Sequence, residues 1–486
     1  MVIDVTGWTV LLIARDGDIE DCGWIAEASS AARELRHFGI AFRLLLPGHS
    51  AEPLPELRDV AAAVAAEAGS TAPAGTYLLG GPLHGWHLPP SEPGQLGAVV
   101  ELVRRYRLGL WRDLMLPAPA LQQRHKPGSD STGVVQFEVN GPVVAKIGPR
   151  AVIESESRFV AEANARMAAA GRRTLFPEVY AVDIDGEQAT SLMEAAVPVS
   201  IDQLFADEAK TRLAVDATTR LEAHLASLAE WYRLTAEANR QPTVADYLYR
   251  GRFTKLRENP AFRFTFGERF PGAILDAVLD MPVVLPGGDR VDGYSAATRW
   301  LDTTAKRLLP TGGSTVHGDI YMTNMLQRTD GSPVFIDPRT VWDGVQRTDP
   351  GFGDPVFDLA TLLHGVLPMA AILHAVGSDR SEQLLDLDAV DLGAPELDLS
   401  SLTLPVGFSE ETRALEQRLR MVSPLAEPEP VVRARLYIGA AASLAGWLKY
   451  DRSLRTPESW LATYAFLVWY LSQAKAVCAA HNLETT

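Results

Sequence analysis

The residues with the clearest chemical potential lie in three segments of the C-terminal half. Residues 316–324 read V-H-G-D-I-Y-M-T-N, residues 334–339 read V-F-I-D-P-R, and residues 353–360 read G-D-P-V-F-D-L-A. Together they supply an acid, an amide five residues later, and a second acid after a short apolar strand. Phosphoryl transfer from a metal-bound nucleotide uses parts of this kind. One carboxylate orients the attacking hydroxyl and accepts its proton, while a carboxylate and an amide oxygen hold magnesium against the phosphates. A single Asp beside Gly or Pro more often caps a helix or makes a turn. Three such segments in order are a far more demanding coincidence.

These segments resemble the aminoglycoside phosphotransferase family, the small-molecule branch of the protein-kinase-like fold. Its pattern is H-G-D-x-x-x-x-N, then I-D, then a segment like G-D-P-x-x-D-L-A. The resemblance spans residues 122–486, the most C-terminal part through helical character alone. By position, it implies that Asp319 is the catalytic base and that Asn324 and Asp337 ligate Mg2+. It further implies that His317 supports the catalytic loop, that Asp358 braces it by hydrogen bonding, and that Asp354 opens the helix carrying Asp358. ATP as donor and a small-molecule hydroxyl as acceptor follow from the same resemblance.

The family's fold also needs a strand lysine for the α- and β-phosphates and a helix glutamate to hold it. Lysine is scarce in this chain, with seven against 38 arginines. Lys146 lies within V-V-A-K-I and is the only lysine between positions 126 and 210. Burying a lysine in an apolar strand is costly unless it is paired; otherwise it snorkels to water from an edge. Sixteen residues later, Glu162 lies in F-V-A-E-A-N-A-R-M, which resembles the family's L-x-x-E-x-x-x-L helix. Glu162 is therefore the expected partner, with Glu154 and Glu156 as rivals in the same acidic segment.

Further nucleotide contacts are implied by position. The run G-S-D-S-T-G at residues 128–133 occupies the place of the phosphate-covering loop. Its candidate contacts are Gly128, Ser129 and Gly133, whose backbone N–H groups and small size suit close approach to phosphate. Residues 191–196, S-L-M-E-A-A, resemble the hinge that binds adenine through main-chain groups, here around Glu194 and Ala196. Arg339, Trp342 and Asp343 closely follow Asp337 and are candidate acceptor contacts. The wording I-D-P-R-x-x-W is similar to family members that handle sugars or sugar-like alcohols. Trp342 suits stacking on a sugar face, or burial in the core.

The chain's 486 residues leave room for two to four domains that position these groups. Residues 1–120 alternate apolar runs (8–14, 41–46, 76–79) with helical patterns (26–38, 54–68, 96–106). Such alternation predicts a small α/β domain with a mostly parallel sheet, of unassigned role. Residues 11–21 are similar to the opening of haloacid-dehalogenase-like phosphatases, but Ala14 stands where their nucleophilic aspartate would be. An unrelated α/β domain with an acidic turn is the favoured reading. The G-G-P-L-H-G-W-H run at residues 80–87 reads as a loop. The polar stretch 122–133 reads as a linker, followed by a hairpin around Asn140-Gly141. The expected fold class is α+β, a bilobal protein-kinase-like fold preceded by the α/β domain. Its N-lobe spans residues 121–197 and its helical C-lobe, with the catalytic loop, residues 198–486.

Composition narrows the function classes. A net charge of −16 disfavours a main role in gripping nucleic acid or anionic membrane, and is a common solubility surplus. Cys22 and Cys478 lie near opposite ends without metal-ligand or redox spacing. No leader pattern opens the sequence and no apolar run reaches the length of a membrane span, so a cytoplasmic setting is expected. The expected function is ATP- and Mg2+-dependent phosphorylation of a sugar, aminosugar or aminoglycoside-like alcohol. One alternative is a non-catalytic, nucleotide-binding regulator; the intact Lys146, Asp319, Asn324 and Asp337 speak against it. A protein kinase is the other, and H-G-D rather than H-R-D speaks against that.

Overall fold

The structure is a computed structural model. It describes residues 9–13, 32, 41–45, 75–79, 86–88, 123–125 and 133–138. From residue 142 it describes all but 197–214, 329, 340, 343–344, 347–350, 404–407, 423–425, 451–452 and 485–486. The chain divides into two compact units, residues 1–161 with 177–195, and residues 162–176 with 196–486.

The first unit contains two sheets. In one, β1 (Thr9–Ile13), β2 (Ala41–Leu45), β3 (Gly75–Leu79) and β4 (Trp86–Leu88) lie in the order β2-β1-β3-β4. Only the β1–β2 pairing is parallel; β1–β3 and β3–β4 are antiparallel. The expected mostly parallel sheet is therefore a mixed one. Apolar runs locate strands but carry no direction, and the 80–87 run ends in β4, which folds back on β3. The helices expected in this region fall outside the described residues, apart from residue 32.

The second sheet has the order β5-β6-β7-β9-β8, with every pairing antiparallel. Its strands are β5 (Gln123–His125), β6 (Gly133–Glu138), β7 (Pro142–Pro149), β8 (Val179–Asp185) and β9 (Gln188–Glu194). Part of the expected linker is thus strand, because β5 pairs along β6. The β6–β7 hairpin closes across residues 139–141, with Glu138 opposite Pro142.

Helix α1 (Arg150–Ala169) follows β7. Its buried positions include Ile153, Glu156, Ser157, Val160, Ala163 and Met167. Steps of three and four residues put these on one face. Ile153 packs with Val182 and Ala189, flanked by Val179 and Ile184.

The second unit is largely helical: α2 (Val215–Thr235), α3 (Arg252–Glu258), α4 (Pro260–Arg269), α5 (Leu275–Asp280) and α6 (Tyr294–Leu308) lead into the loop region. After it come α7 (Pro355–Val366), α8 (Met369–Gly377), α9 (Phe408–Arg420), α10 (Glu429–Trp447) and α11 (Pro457–Ala480). Every residue of α7 is buried, and α10 and α11 are buried over most of their length. Their core includes Trp460, stacked on Phe262 at 5.9 Å and on Tyr464 at 5.6 Å between ring centroids. Among the described residues, no single helix is long and apolar enough to cross a membrane.

Short strands frame the loop region. In sequence order, β10 (Val283–Val284) and β11 (Arg290–Val291) precede β12 (Ser314–Thr315), β13 (Met325–Gln327) and β14 (Pro333–Phe335). A hairpin of β15 (Val341–Trp342) and β16 (Val345–Gln346) follows, and then β17 (Phe352–Gly353), which pairs with β12.

Candidate active site

Residues 316–324 form an irregular loop between β12 and β13, and the start of α7 holds its shape. Asp354 caps α7, its carboxylate accepting the Val356 N–H at 3.0 Å, with Pro355 in the first helical position. Asp354 also accepts the Tyr249 hydroxyl at 2.6 Å and pairs with Arg435, whose Nε lies 3.3 Å away. Burial raises the Asp354 carboxyl's pKa, and Arg435 and Tyr249 oppose that shift.

One turn along α7, the fully buried Asp358 reaches back into the loop. Its Oδ2 accepts the His317 N–H at 2.7 Å and its Oδ1 the Gly318 N–H at 2.6 Å. The Tyr232 hydroxyl, from α2, donates to the same carboxylate at 3.0 Å. Two backbone donors and one hydroxyl satisfy a charge that would otherwise be very costly to bury. Thr361 adds a further tie, its hydroxyl donating to the Ile320 carbonyl at 2.7 Å. Gly318 adopts φ 90°, a conformation that a side chain would strain, so the chain turns sharply just before Asp319.

His317 spans the loop and the β14 end. Its Nδ1 accepts the Asp319 N–H at 3.2 Å, and its Nε2 lies 2.7 Å from the Ile336 carbonyl. That pair of contacts requires the neutral tautomer with the proton on Nε2. The ring stacks on Phe176 at 5.9 Å. The His317 carbonyl accepts the Arg339 N–H at 2.8 Å, so His317 fixes residues on both sides of Asp337.

Asn324 is buried, and its Nδ2 donates to the Asp319 carbonyl at 2.9 Å. This use of the amide nitrogen directs Oδ1 to serve as acceptor or ligand. The Asn324 carbonyl accepts the Ile336 N–H at 3.1 Å, continuing the β13–β14 pairing in which Met325 faces Phe335. Asp337 is therefore one residue beyond the partner of Asn324. It takes φ 57°, a left-handed conformation that Asp tolerates better than most residues. An amide oxygen and a carboxylate at one hairpin end form a hard-oxygen pair, the donor set that Mg2+ takes alongside phosphate and water. Among the described residues, no group of three or more His, Cys, Asp and Glu converges as a metal site.

Asp319 is half-buried, and Arg339 Nη1 lies 4.0 Å from its Oδ1. Tyr321 senses the same charges. Burial first, and then the Asp319 carboxylate, push its phenol up to about 12; Asp337 adds to the shift, whereas Thr323 and Arg339 oppose it. Asp319, Tyr321, Asp337 and Arg339 thus form one charged neighbourhood.

In the first unit, Lys146 sits in β7 opposite Val134 and Ser191. Its Nζ lies 2.7 and 2.6 Å from the two carboxylate oxygens of Glu156. The two side chains are 7% and 10% exposed. Beside them, Ser157 donates to the Ser191 hydroxyl at 3.2 Å, tying α1 to the sheet. The lysine's partner is therefore Glu156 and not the expected Glu162. Glu162 is exposed, six residues and 600° of helix further on, while Glu154 bonds Arg150 at 3.0 Å. Of the three glutamates, Glu156 alone shares the helix face set by Ile153, Val160 and Met167.

The remaining candidates are placed as follows. Gly133 opens β6 opposite Ile147; Gly128 and Ser129 lie outside the described residues. Glu194 ends β9, with its backbone N–H on the Glu178 carbonyl at 2.9 Å and its carboxylate accepting the Glu178 N–H at 3.2 Å. Ala196 follows and is half-buried. Trp342 lies in β15 opposite Val345, while Asp343 is outside the described residues. Sequence reading missed Tyr232 and Tyr321. Nothing local marks Tyr232, which meets Asp358 across 126 positions.

No protein-family model matches the chain, and no curated protein matches it. Among solved structures it is similar to a GDP complex of aminoglycoside 2'-phosphotransferase-IIIa, at 11% identity and a TM-score of 0.40, over 78% of this chain and 99% of that one. It is also similar to a thermostable mutant of aminoglycoside phosphotransferase APH(4)-Ia in complex with AMP-PNP and hygromycin B, at 14% identity and a TM-score of 0.36, covering 76% and 98%. A third is macrolide 2'-phosphotransferase MphH from Brachybacterium faecium, at 14% identity and a TM-score of 0.35, covering 72% and 92%. At these values, any reading of function rests on the site itself.

Proposed function

We propose that this chain is an ATP- and Mg2+-dependent phosphotransferase acting on a small-molecule hydroxyl, that of a sugar, aminosugar or aminoglycoside-like alcohol. The supporting observation is the Asp358 carboxylate holding the His317 and Gly318 N–H groups at 2.7 and 2.6 Å. A fully buried charge committed to two consecutive backbone donors fixes the turn that presents Asp319. Positioning of that kind is the main protein contribution to phosphoryl transfer.

In this reading, Asp319 accepts the hydrogen bond of the acceptor hydroxyl, orients its lone pair and takes its proton as the new O–P bond forms. The bond between the γ-phosphorus and the bridging oxygen breaks, and ADP leaves with that electron pair. Asn324 Oδ1 and the Asp337 carboxylate would hold Mg2+, which when bound neutralises charge on the phosphates. Lys146, fixed by Glu156, presents its ammonium to the α- and β-phosphates. Gly128, Ser129 and Gly133 belong to the phosphate-covering segment, and Glu194 and Ala196 to the adenine-binding one. Arg339, Trp342 and Asp343 belong to the acceptor side.

The test is nucleotide consumption over a panel of sugars, aminosugars and aminoglycosides, with GTP run beside ATP. The expected result is acceptor-dependent, Mg2+-dependent turnover. Thermal stabilisation by Mg–ATP without turnover on any acceptor would favour a binding module instead.

A further inference from the structure

His317 is held at both ends. Its backbone N–H donates to Asp358 at 2.7 Å. Its ring lies against Phe176, with centroids 5.9 Å apart and planes at 17°, and Phe335 meets it edge-on at 6.0 Å. Both ring nitrogens are committed, Nδ1 to the Asp319 N–H and Nε2 to the Ile336 carbonyl. A turn of the imidazole plane would therefore pull on the backbone at Asp319 and beside Asp337 together.

Phe176 belongs to an irregular segment between α1 and β8, and side chains pin its backbone. Asn164, on α1, accepts the Phe176 N–H on Oδ1 at 3.1 Å and donates Nδ2 to the Phe176 carbonyl at 3.0 Å. Arg328 Nη2 donates to the same carbonyl at 2.8 Å and to the Thr174 hydroxyl at 3.1 Å. Its Nη1 donates to the Thr174 and Pro333 carbonyls, both at 3.1 Å. The Phe335 N–H closes the set on the Leu175 carbonyl at 2.8 Å. All of these residues lie in the second unit.

Arg328 is 9% exposed and follows β13, in the turn of the hairpin that carries Asn324 and Asp337 at its other end. Apolar contact alone tolerates small slides of a ring. A buried planar fork spread over three carbonyls and a hydroxyl does not, because displacement leaves costly unpaired groups. We propose that Phe176 is a positioning residue for Asp319, acting through the His317 imidazole, and that Arg328 holds Phe176 in register for that role. This rests on the phosphotransferase reading and adds a second support to the loop, at the His317 side chain where Asp358 supports the backbone.

The experiment compares Phe176→Leu, Phe176→Tyr and Arg328→Lys with wild type. Phe176→Leu stays apolar but loses the flat face, Phe176→Tyr keeps the face, and Arg328→Lys keeps the charge but loses the fork. Two readouts are taken on folded protein. One is hydrogen exchange of the peptide bearing Asp319, with a core peptide of α11 as the control for global destabilisation. The other is steady-state kinetics with Mg–ATP and the acceptor that wild type uses best. In Phe176→Leu and Arg328→Lys, exchange at Asp319 is expected to quicken at least about tenfold while the α11 peptide stays within about twofold. Their kcat is expected to fall at least about tenfold, with KM for Mg–ATP within about twofold. Phe176→Tyr is expected to stay within about threefold of wild type in both exchange and kcat. A role in packing alone would lower the melting temperature without this split between kcat and KM. If Phe176→Leu fails to fold, Arg328→Lys set against Phe176→Tyr decides. Wild-type exchange and kcat in either Phe176→Leu or Arg328→Lys overturns the inference, as do equal losses in Phe176→Tyr or a rise in KM for Mg–ATP in place of the loss in kcat. Faster exchange in Phe176→Leu, with no turnover by wild type on any acceptor, upholds the support of the loop and overturns the phosphotransferase reading alone.

Discussion

Glu156 grips the Lys146 ammonium with both carboxylate oxygens, at 2.7 and 2.6 Å, while Glu162 on the same helix faces solvent. The two glutamates therefore predict opposite outcomes. Glu156→Gln removes the charge that holds Lys146, and KM for Mg–ATP is expected to rise at least about tenfold. Glu162→Gln is expected to leave it within about twofold. Glu156→Ala removes the carboxylate that grips the buried ammonium and is expected to cost about 3–5 kcal/mol of stability, read by urea denaturation. Equal effects of the two Gln variants on KM would contradict the assignment.

Asp358 holds the loop through two backbone N–H groups and Tyr232. Asp358→Ala strands those donors and is expected to destabilise the fold by about 3 kcal/mol or more. At a temperature where the variant remains folded, kcat is expected to fall at least about hundredfold. Tyr232→Phe removes one donor and leaves the backbone pair, so about 1 kcal/mol and a few-fold change in kcat are expected. Circular-dichroism melts and steady-state kinetics on both variants separate the two.

What the sequence disclosed follows from how far apart the partners lie. Asp319 and Asn324 sit five positions apart in one loop, and Asp337 follows across a short hairpin, so linear spacing carries their relationship. Asp358 is marked by its neighbour Asp354, which has the Asp-Pro signature of a helix start. The lysine's partner was harder to read because three glutamates share one helix. Only the phase of Ile153, Val160 and Met167 separates them. Strand direction in the β1–β4 sheet was not legible, since apolar runs are the same read either way. Tyr232 and Arg435, buried against Asp358 and Asp354, became visible only once the helices were packed.

Gly365 lies on α7, against the loop. A Cβ there would come within 2.7 Å of the Tyr321 Cβ, a contact that forces one of them to move. Tyr321 shares its surroundings with Asp319, Asp337 and Arg339. Gly365→Ala is therefore expected to cost about 1–3 kcal/mol and to lower kcat, because the displacement reaches the site's charges. A melting curve and turnover rate matching wild type would show that the loop yields without consequence.

Stability should also respond to pH through His364, which is fully enclosed in α7. Burial above all, with some help from Arg252, lowers its pKa to about 4, against the pull of the Ala360 carbonyl. The unfolded chain takes up this proton near pH 6.5, before the folded one does. The neutral ring's stabilisation is therefore present above about 6.5 and is lost as pH falls toward 4, by roughly 3 kcal/mol in all. His224, also lowered chiefly by burial, adds in the same direction. Urea midpoints between pH 7 and 4.5 are expected to fall less steeply for His364→Leu than for wild type. Parallel slopes would contradict the assignment.

The most direct test concerns Asp319 itself. Wild type and Asp319→Asn are compared in acceptor-dependent transfer from Mg–ATP, with nucleotide affinity followed in parallel by thermal shift. Because the substitution removes the proton acceptor and leaves Lys146, Asn324 and Asp337 in place, kcat is predicted to fall at least about hundredfold. Nucleotide affinity is predicted to stay within about twofold. Transfer at near wild-type rate by Asp319→Asn would contradict the assignment of Asp319 as the base.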